Sequence, residues 1–256
     1  MSEHLRKLSP GRIVVLGFAF VILTGSLILW LPISANEGVH VNYIDALFTS
    51  TSAVCVTGLI AVDTADTFNV FGRTVVALLI QIGGLGVTCV GVGFILLAGK
   101  KIGIHGRVLI RDSMNLTTVK GVVALVESIL FMTLLFEGIG AFLSFLVFSR
   151  DYPALDALGI SVFHSVAAFN NSGFDILGGL KNLIPYQSNV LLNLTTCGLI
   201  IFGGLGFLVI REIWEKHSWR KFSLHTKVVI ATTIALLAAG TVLLKMTEDI
   251  TWLGAL

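Results

Sequence analysis

Of the 256 residues, 55% are apolar and 12% charged, and the mean hydropathy is +0.93. An ordinary soluble domain is ~45–50% apolar and ~25% charged, so this composition excludes one and points to a membrane protein. The net charge of +2 says little by itself, and three cysteines (Cys55, Cys89, Cys197) with no CxxC spacing exclude a disulfide framework or a Cys/His metal site.

A helix needs about 20 apolar residues to cross a bilayer, and several segments qualify. Residues 1–12 are polar and charged, which suits a cytoplasmic N-terminus. A first helix is expected over 13–31, with Trp30 as an interfacial anchor and Pro32 ending it. No small-residue cleavage site follows, so the helix is read as retained rather than as a signal peptide. After a polar loop, residues 43–53 give about three helical turns, too few to span. Residues 54–60 carry β-branched side chains and Gly58, which suits extended backbone. A polar stretch with Asp63 and Asp66 leads to a second long helix over 70–98, then a basic cytoplasmic loop over 99–121. Helix three is expected over 122–148, a second short helix over 154–169, and an extended piece over 170–174. Helix four covers 188–213, a basic loop 214–227, and a fifth helix begins at 228.

The order helix, half-helix, extended loop, helix thus occurs twice. Phe48-Thr-Ser-Thr-Ser-Ala-Val-Cys-Val-Thr-Gly58 and Phe163-His-Ser-Val-Ala-Ala-Phe-Asn-Asn-Ser-Gly173 share Phe ten residues before Gly, Ser at 50 or 165, Ala at 53 or 168, and a hydroxyl residue before the Gly. The two glycines are 115 residues apart, and Gly83-Gly-Leu-Gly86 recurs as Gly203-Gly-Leu-Gly206, 120 residues on. Such spacing is the signature of an internal repeat. The fold class expected is an all-α polytopic membrane protein of tandem helix–pore loop–helix (M1-P-M2) repeats. Two are complete (13–98 and 122–213), and 228–256 opens a third. Of the 17 basic residues, all but Arg73, Arg150, Lys181 and Lys245 fall before helix one, in the two basic loops or, as Arg211 does, at the end of helix four beside the second loop. The positive-inside rule then puts those loops in the cytoplasm and the half-helix loops outside. The acidic outer face would concentrate cations there.

Non-helical backbone is tolerated at membrane depth only where it is buried in protein or lines a wet cavity. Carbonyls facing an axis replace the hydration shell of a cation. Gly58 and Gly173 permit positive φ and close approach, Thr57 and Ser172 add or orient oxygen, and the half-helix C-termini aim negative dipole at the cavity. Glu127 and Glu137 lie among apolar residues of helix three, about 80° from alignment on the helical wheel. An intramembrane carboxylate is a functional candidate by default, and a structural hydrogen bond to a half-helix is the competing reading. His164 fits a hydrogen-bonded core histidine better than a metal ligand. The paired glycines fit close helix packing. Gly99-Lys100-Lys101 lacks the upstream spacing of a phosphate-binding loop.

Thr51-Ser-Ala-Val-Cys-Val-Thr-Gly-Leu59, Gln81-Ile-Gly-Gly-Leu-Gly86 and Phe169-Asn-Asn-Ser-Gly-Phe174 resemble the Trk/Ktr/HKT superfamily of potassium transporters. The likeness is greatest to its KtrB branch, the ion-translocating subunits of bacterial Ktr systems, and covers essentially the whole chain. It implies potassium uptake across the plasma membrane through a pore lined by re-entrant loop carbonyls. Val56, Thr57, Gly58, Asn171, Ser172 and Gly173 would be filter residues with K+ at their carbonyls. The resemblance also implies Na+ as an activator, no covalent cofactor and no enzymatic reaction. Homodimerisation and a cytosolic nucleotide-binding regulatory ring of RCK type are the partners it implies. Membrane lipid surrounds such a protein, and no nucleic acid is expected. The family's pore needs four repeats, so the chain reads as the N-terminal part of a longer protein. Two other readings stand beside the channel: a proton-coupled cation carrier using Glu127 and Glu137, and a non-conducting membrane subunit.

Overall fold

In a computed structural model, residues 10–97, 102–113 and 118–247 are described. Among them the structure is helical, with α1 (Pro10–Trp30), α2 (Tyr43–Val54), α3 (Thr64–Thr67), α4 (Val70–Leu85), α5 (Val87–Leu97) and α6 (Ile104–Ser113). They are followed by α7 (Val122–Phe148), α8 (Ala154–Phe169), α9 (Val190–Leu205), α10 (Phe207–Lys216) and α11 (Leu224–Thr247). The fold is an all-α polytopic membrane protein: α1, α7 and α11 are each long and apolar enough to cross a bilayer. Arg6, Lys7, Lys100 and Lys101 of the charge reading, Gly99 of the phosphate-loop comparison and residues 248–256 of the third repeat lie outside the described residues.

Two sequence expectations need correction. Residues 70–98 and 188–213 are not single straight helices. The first bends by 102° between α4 and α5, and the second by 97° between α9 and α10. The breaks fall on Gly86 (φ +81, ψ 138) and Gly206 (φ +85, ψ 142), a backbone combination that is nearly confined to glycine. The basic loop 99–121 also contains a helix, α6, which buries Ile110.

The chain divides into two compact units, one of residues 1–135 and 172–180, the other of 136–171 and 181–256, with the division inside α7. In the first, α1 packs on α2 and α4 around Leu29, Ala46, Val54, Phe68, Val76 and Ile80. Gly25 makes this approach possible: a Cβ there would meet Ser50 Oγ at 2.6 Å and Leu79 Cδ2 at 2.7 Å. The Ser50 hydroxyl donates to the carbonyl of Ile22 at 2.8 Å, so the half-helix α2 is fastened to α1 by a polar bond inside an apolar interface.

The second unit repeats the joint. A Cβ on Gly140 would meet Ser165 Oγ at 2.5 Å and Leu199 Cδ1 at 2.7 Å. Ser165 donates to the carbonyl of Glu137 at 2.7 Å. Around it Phe136 stacks on Phe169 and on Phe202, with centroids 5.9 and 4.8 Å apart. The α9 N-terminus is capped by Asn189, which accepts from Leu192 N at 3.0 Å, as Asn69 caps α4 through Gly72 N at 3.1 Å. Glu212 of α10 accepts from Ser223 N at 2.9 Å and from its hydroxyl at 2.7 Å, and also from Lys216 and Thr226. That cluster ties α10 to the start of α11, of which Thr226 is the buried residue.

Candidate functional site

The half-helix α2 stops at Val54 because the following residues leave the helical region. Cys55 N still bonds to Thr51 O at 2.8 Å, but Val56 takes φ +55 and Gly58 φ +74. At the end of α8 the same sequence of conformations occurs: Asn170 N bonds to Val166 O at 3.1 Å, Asn171 takes φ +56 and Gly173 φ +73. A β-branched residue at positive φ is a strained choice, so Val56 is held there by its surroundings. Thr57 supplies part of that hold. Its backbone N–H reaches Ser52 O at 3.0 Å, and its hydroxyl lies 2.9 Å from Ser52 Oγ. Ser52 Oγ in turn donates to Leu59 O at 2.6 Å. Thr57 therefore orients the loop through its hydroxyl.

The first unit brings residues from both loops together. A Cβ on Gly58 would lie 2.6 Å from the Ser172 carbonyl oxygen and 3.2 Å from Gly173 Cα. Reciprocally, a Cβ on Gly173 would lie 3.3 Å from Gly58 Cα. Two backbones meet here with no side chain between them, and any other residue at 58 would push them apart. Ser172 is fully buried, and Phe174 and Ile176 on alternate positions of the extended run are buried as well.

Glycines of the breaking helices seat the half-helix ends. A Cβ on Gly83 would overlap the carbonyl of Val54, and one on Gly203 would overlap the carbonyl of Phe169, each in its own unit. Asn171 Nδ2 also lies 3.2 Å from the Cβ position of Gly203. The last carbonyls of α2 and α8 thus rest against bare helix backbone, and bulk at either glycine would move the loop that follows.

The two candidate carboxylates occupy different settings. Glu127 is exposed on α7. Glu137 is buried, and its Oε1 accepts from Asn170 Nδ2 at 3.2 Å. This is a structural bond to the end of a half-helix, one of the two sequence readings. His164 is also buried, with Nε2 2.9 Å from Thr196 Oγ1 and Phe148 edge-on at 5.9 Å. Among the described residues no group of His, Cys, Asp and Glu is arranged to hold a metal.

Sequence reasoning missed the part played by Asp63 and Asp66. Both were read as outer-face charge. In the structure Asp63 caps α3, accepting from Ala65 N at 2.8 Å and Asp66 N at 3.0 Å. The other carboxylate oxygen of Asp63 accepts from Leu180 N at 2.8 Å, and Asp66 accepts from Gly179 N at 3.0 Å. The Asp-x-x-Asp run at 63–66 signals a cap; nothing local signals partners 113 and 117 residues away.

Residues 11–253 match the TrkH family model, described as cation transport protein. The chain is 40% identical over 249 residues to the potassium/sodium uptake protein NtpJ of Enterococcus hirae, covering 97% of this chain and 55% of that protein. It is 38% identical over 230 residues to Ktr system potassium uptake protein B of Bacillus subtilis, covering 90% of this chain and 51% of that protein. It is 35% identical over 246 residues to Ktr system potassium uptake protein D of the same organism, covering 94% and 54%. The chain spans about half the length of these relatives.

Proposed function

Because the chain belongs to the TrkH family of cation transport proteins, we propose that it supplies two of the filter segments of a potassium uptake pore. The observation that carries this is the meeting of Gly58 with Ser172 and Gly173, each glycine in the left-handed region after a half-helix. Ordered carbonyls at such a meeting replace water around a dehydrated cation, and the carbonyl end of α2 adds negative potential. Val56, Thr57, Gly58, Asn171, Ser172 and Gly173 are the residues assigned to that coordination, with K+ as cargo. Relatives named for potassium and for potassium/sodium uptake support both ions as candidates, with Na+ as an activator or second substrate.

The chain is assigned to the plasma membrane with a cytoplasmic N-terminus, on the distribution of its basic residues. Two relatives are named as parts of a Ktr system, which supports further subunits. A homodimer with a cytosolic nucleotide-binding ring on the inner face is the arrangement proposed. The proton-coupled carrier gains no support from an exposed Glu127 and a Glu137 bonded to Asn170.

The test is Gly58→Ser in the full-length natural protein, with K+ and Na+ uptake measured in liposomes. The added side chain is expected to part the two backbones and lower the preference for K+ over Na+ by about tenfold or more, since a misfit of well under an ångström in a rigid site is enough. A wild-type preference in that variant would refute the filter assignment.

A further inference from the structure

We infer that Asp63 and Asp66 are positioning residues for the second filter segment, and that the short helix bearing them sets ion discrimination from outside the filter. The inference rests on the reading of residues 56–58 and 171–173 as filter backbone.

The helix α3 has four residues, and its connections reach well beyond its own length. Asn36 Nδ2 donates to Ala65 O at 3.1 Å and to Asp66 O at 2.9 Å. Asn36 N reaches Thr67 O at 2.9 Å. Arg73 donates through Nη2 to Ala65 O at 2.6 Å and through Nε to Phe68 O at 2.7 Å. Phe68, next in sequence, is fully buried. The carbonyl end of α3 is therefore held from two sides, by Asn36 of the loop after α1 and by Arg73 in the first turns of α4. The Oδ2 atoms of Asp63, its N-cap, and of Asp66 reach beyond the helix.

Those carboxylates meet an unusual stretch of chain. Gly178, Gly179 and Leu180 take φ of +83, +65 and +54 in succession. Successive backbone N–H groups in a turn can face a common anionic acceptor. Gly179 N and Leu180 N point at Asp66 Oδ2 and Asp63 Oδ2. Gly178 is pressed on the same place: a Cβ there would lie 2.9 Å from Asp66 Oδ1 and 3.6 Å from Ala65 Cβ. Left-handed backbone at Leu180 is unfavourable unaided, so the two charge-assisted bonds hold it. The segment that ends in this clasp begins at Ser172 and Gly173, against Gly58. Between clasp and filter, Phe174 and Ile176 are buried and Asp175 Oδ1 accepts from Leu177 N at 3.0 Å. The run is thus held by hydrogen bonds at the clasp, packed in the middle and set against Gly58 at its other end. Releasing residues 178–180 frees the filter end of the run to move away from Gly58.

Two roles for the carboxylates predict different things. If they only draw cations to the mouth, Asn and Ala at position 66 are equivalent, since both remove the charge. If they position the segment, Asn keeps an acceptor oxygen and Ala does not.

The experiment measures K+ uptake with Na+ as competitor in the full-length natural protein, reconstituted in liposomes. For Asp66→Ala, K+/Na+ discrimination is expected to fall by about fivefold, roughly the worth of one ordinary hydrogen bond. Asp66→Asn is expected to restore most of that loss. Gly178→Ala attacks the same contact from the other side and serves where Asp66→Ala fails to insert; it is expected to lose discrimination to a similar degree, with the two changes together no worse than either. Equal loss in the Asn and Ala variants, or unchanged discrimination in both Asp66→Ala and Gly178→Ala, overturns the inference. Gly58→Ser, measured alongside, separates the two levels. If it alters discrimination while the clasp variants do not, the clasp inference falls and the filter stands; if none does, the filter reading falls as well.

Discussion

At the scale of single residues, two kinds of glycine do different work within a few positions of each other. Gly83 and Gly203 are helical, and a Cβ on either would overlap a half-helix carbonyl. Gly86 and Gly206 have open space at the Cβ position, and there the backbone angles alone are the constraint. Alanine at any of the four is expected to cost about 1–3 kcal/mol, by overpacking at the first pair and by backbone strain at the second. Thermal unfolding of the full-length protein in detergent measures all four. Only Gly83→Ala and Gly203→Ala are expected to change apparent K+ affinity as well, because only they displace Val54 or Phe169. Asp175 offers a pH test. Burial raises its carboxyl above the ordinary 3.8, the Leu177 N–H partly opposes this, and the charge of Asp63 adds to the rise. A raised carboxyl contributes stability below its ordinary range and loses it as pH climbs through the raised value. Asp175→Asn is therefore expected to unfold at a higher temperature than wild type at neutral pH, with the difference closing in acid; an unchanged midpoint at both ends would contradict the burial argument. The left-handed glycines Gly58 and Gly173 were legible in the sequence because each closes a run of similar layout repeated 115 positions apart. The separate duties of Gly83 and Gly86 were not, since a Gly-Gly-Leu-Gly run inside an apolar stretch has one signature for both packing and breaking.

At the scale of elements, the same joint is built twice. Ser50 fastens α2 to the carbonyl of Ile22, and Ser165 fastens α8 to the carbonyl of Glu137. Removing either hydroxyl is expected to cost roughly 1 kcal/mol, and Ser50→Ala and Ser165→Ala should lower the unfolding midpoint by similar amounts. The sequence spoke clearly about long apolar helices and about half-helices too short to span, because length is set by bilayer thickness. It was silent on α3, whose four residues are too few to show a period, and on α6, where charged residues masked an apolar face that buries Ile110. The bends at Gly86 and Gly206 escaped because hydropathy continues unbroken across them while the backbone turns by about a right angle.

At the scale of the whole molecule, the distribution of basic residues makes an orientation prediction. A cysteine placed at Lys181 is expected to react with a membrane-impermeant maleimide added outside intact cells, and one placed at Lys216 only after permeabilisation. The reverse pattern would invert the topology. The first compact unit is also discontinuous in sequence: residues 172–180 complete it, after 136–171 have been given to the other. During synthesis, the Asp63 and Asp66 carboxylates leave the ribosome long before the amides that will engage them. The early half of the protein must therefore wait, unsealed, inside the insertion machinery until the second half-helix has been threaded. A nascent chain stalled between residues 135 and 172 should be an easier target for membrane-quality-control proteases than one stalled just beyond 180.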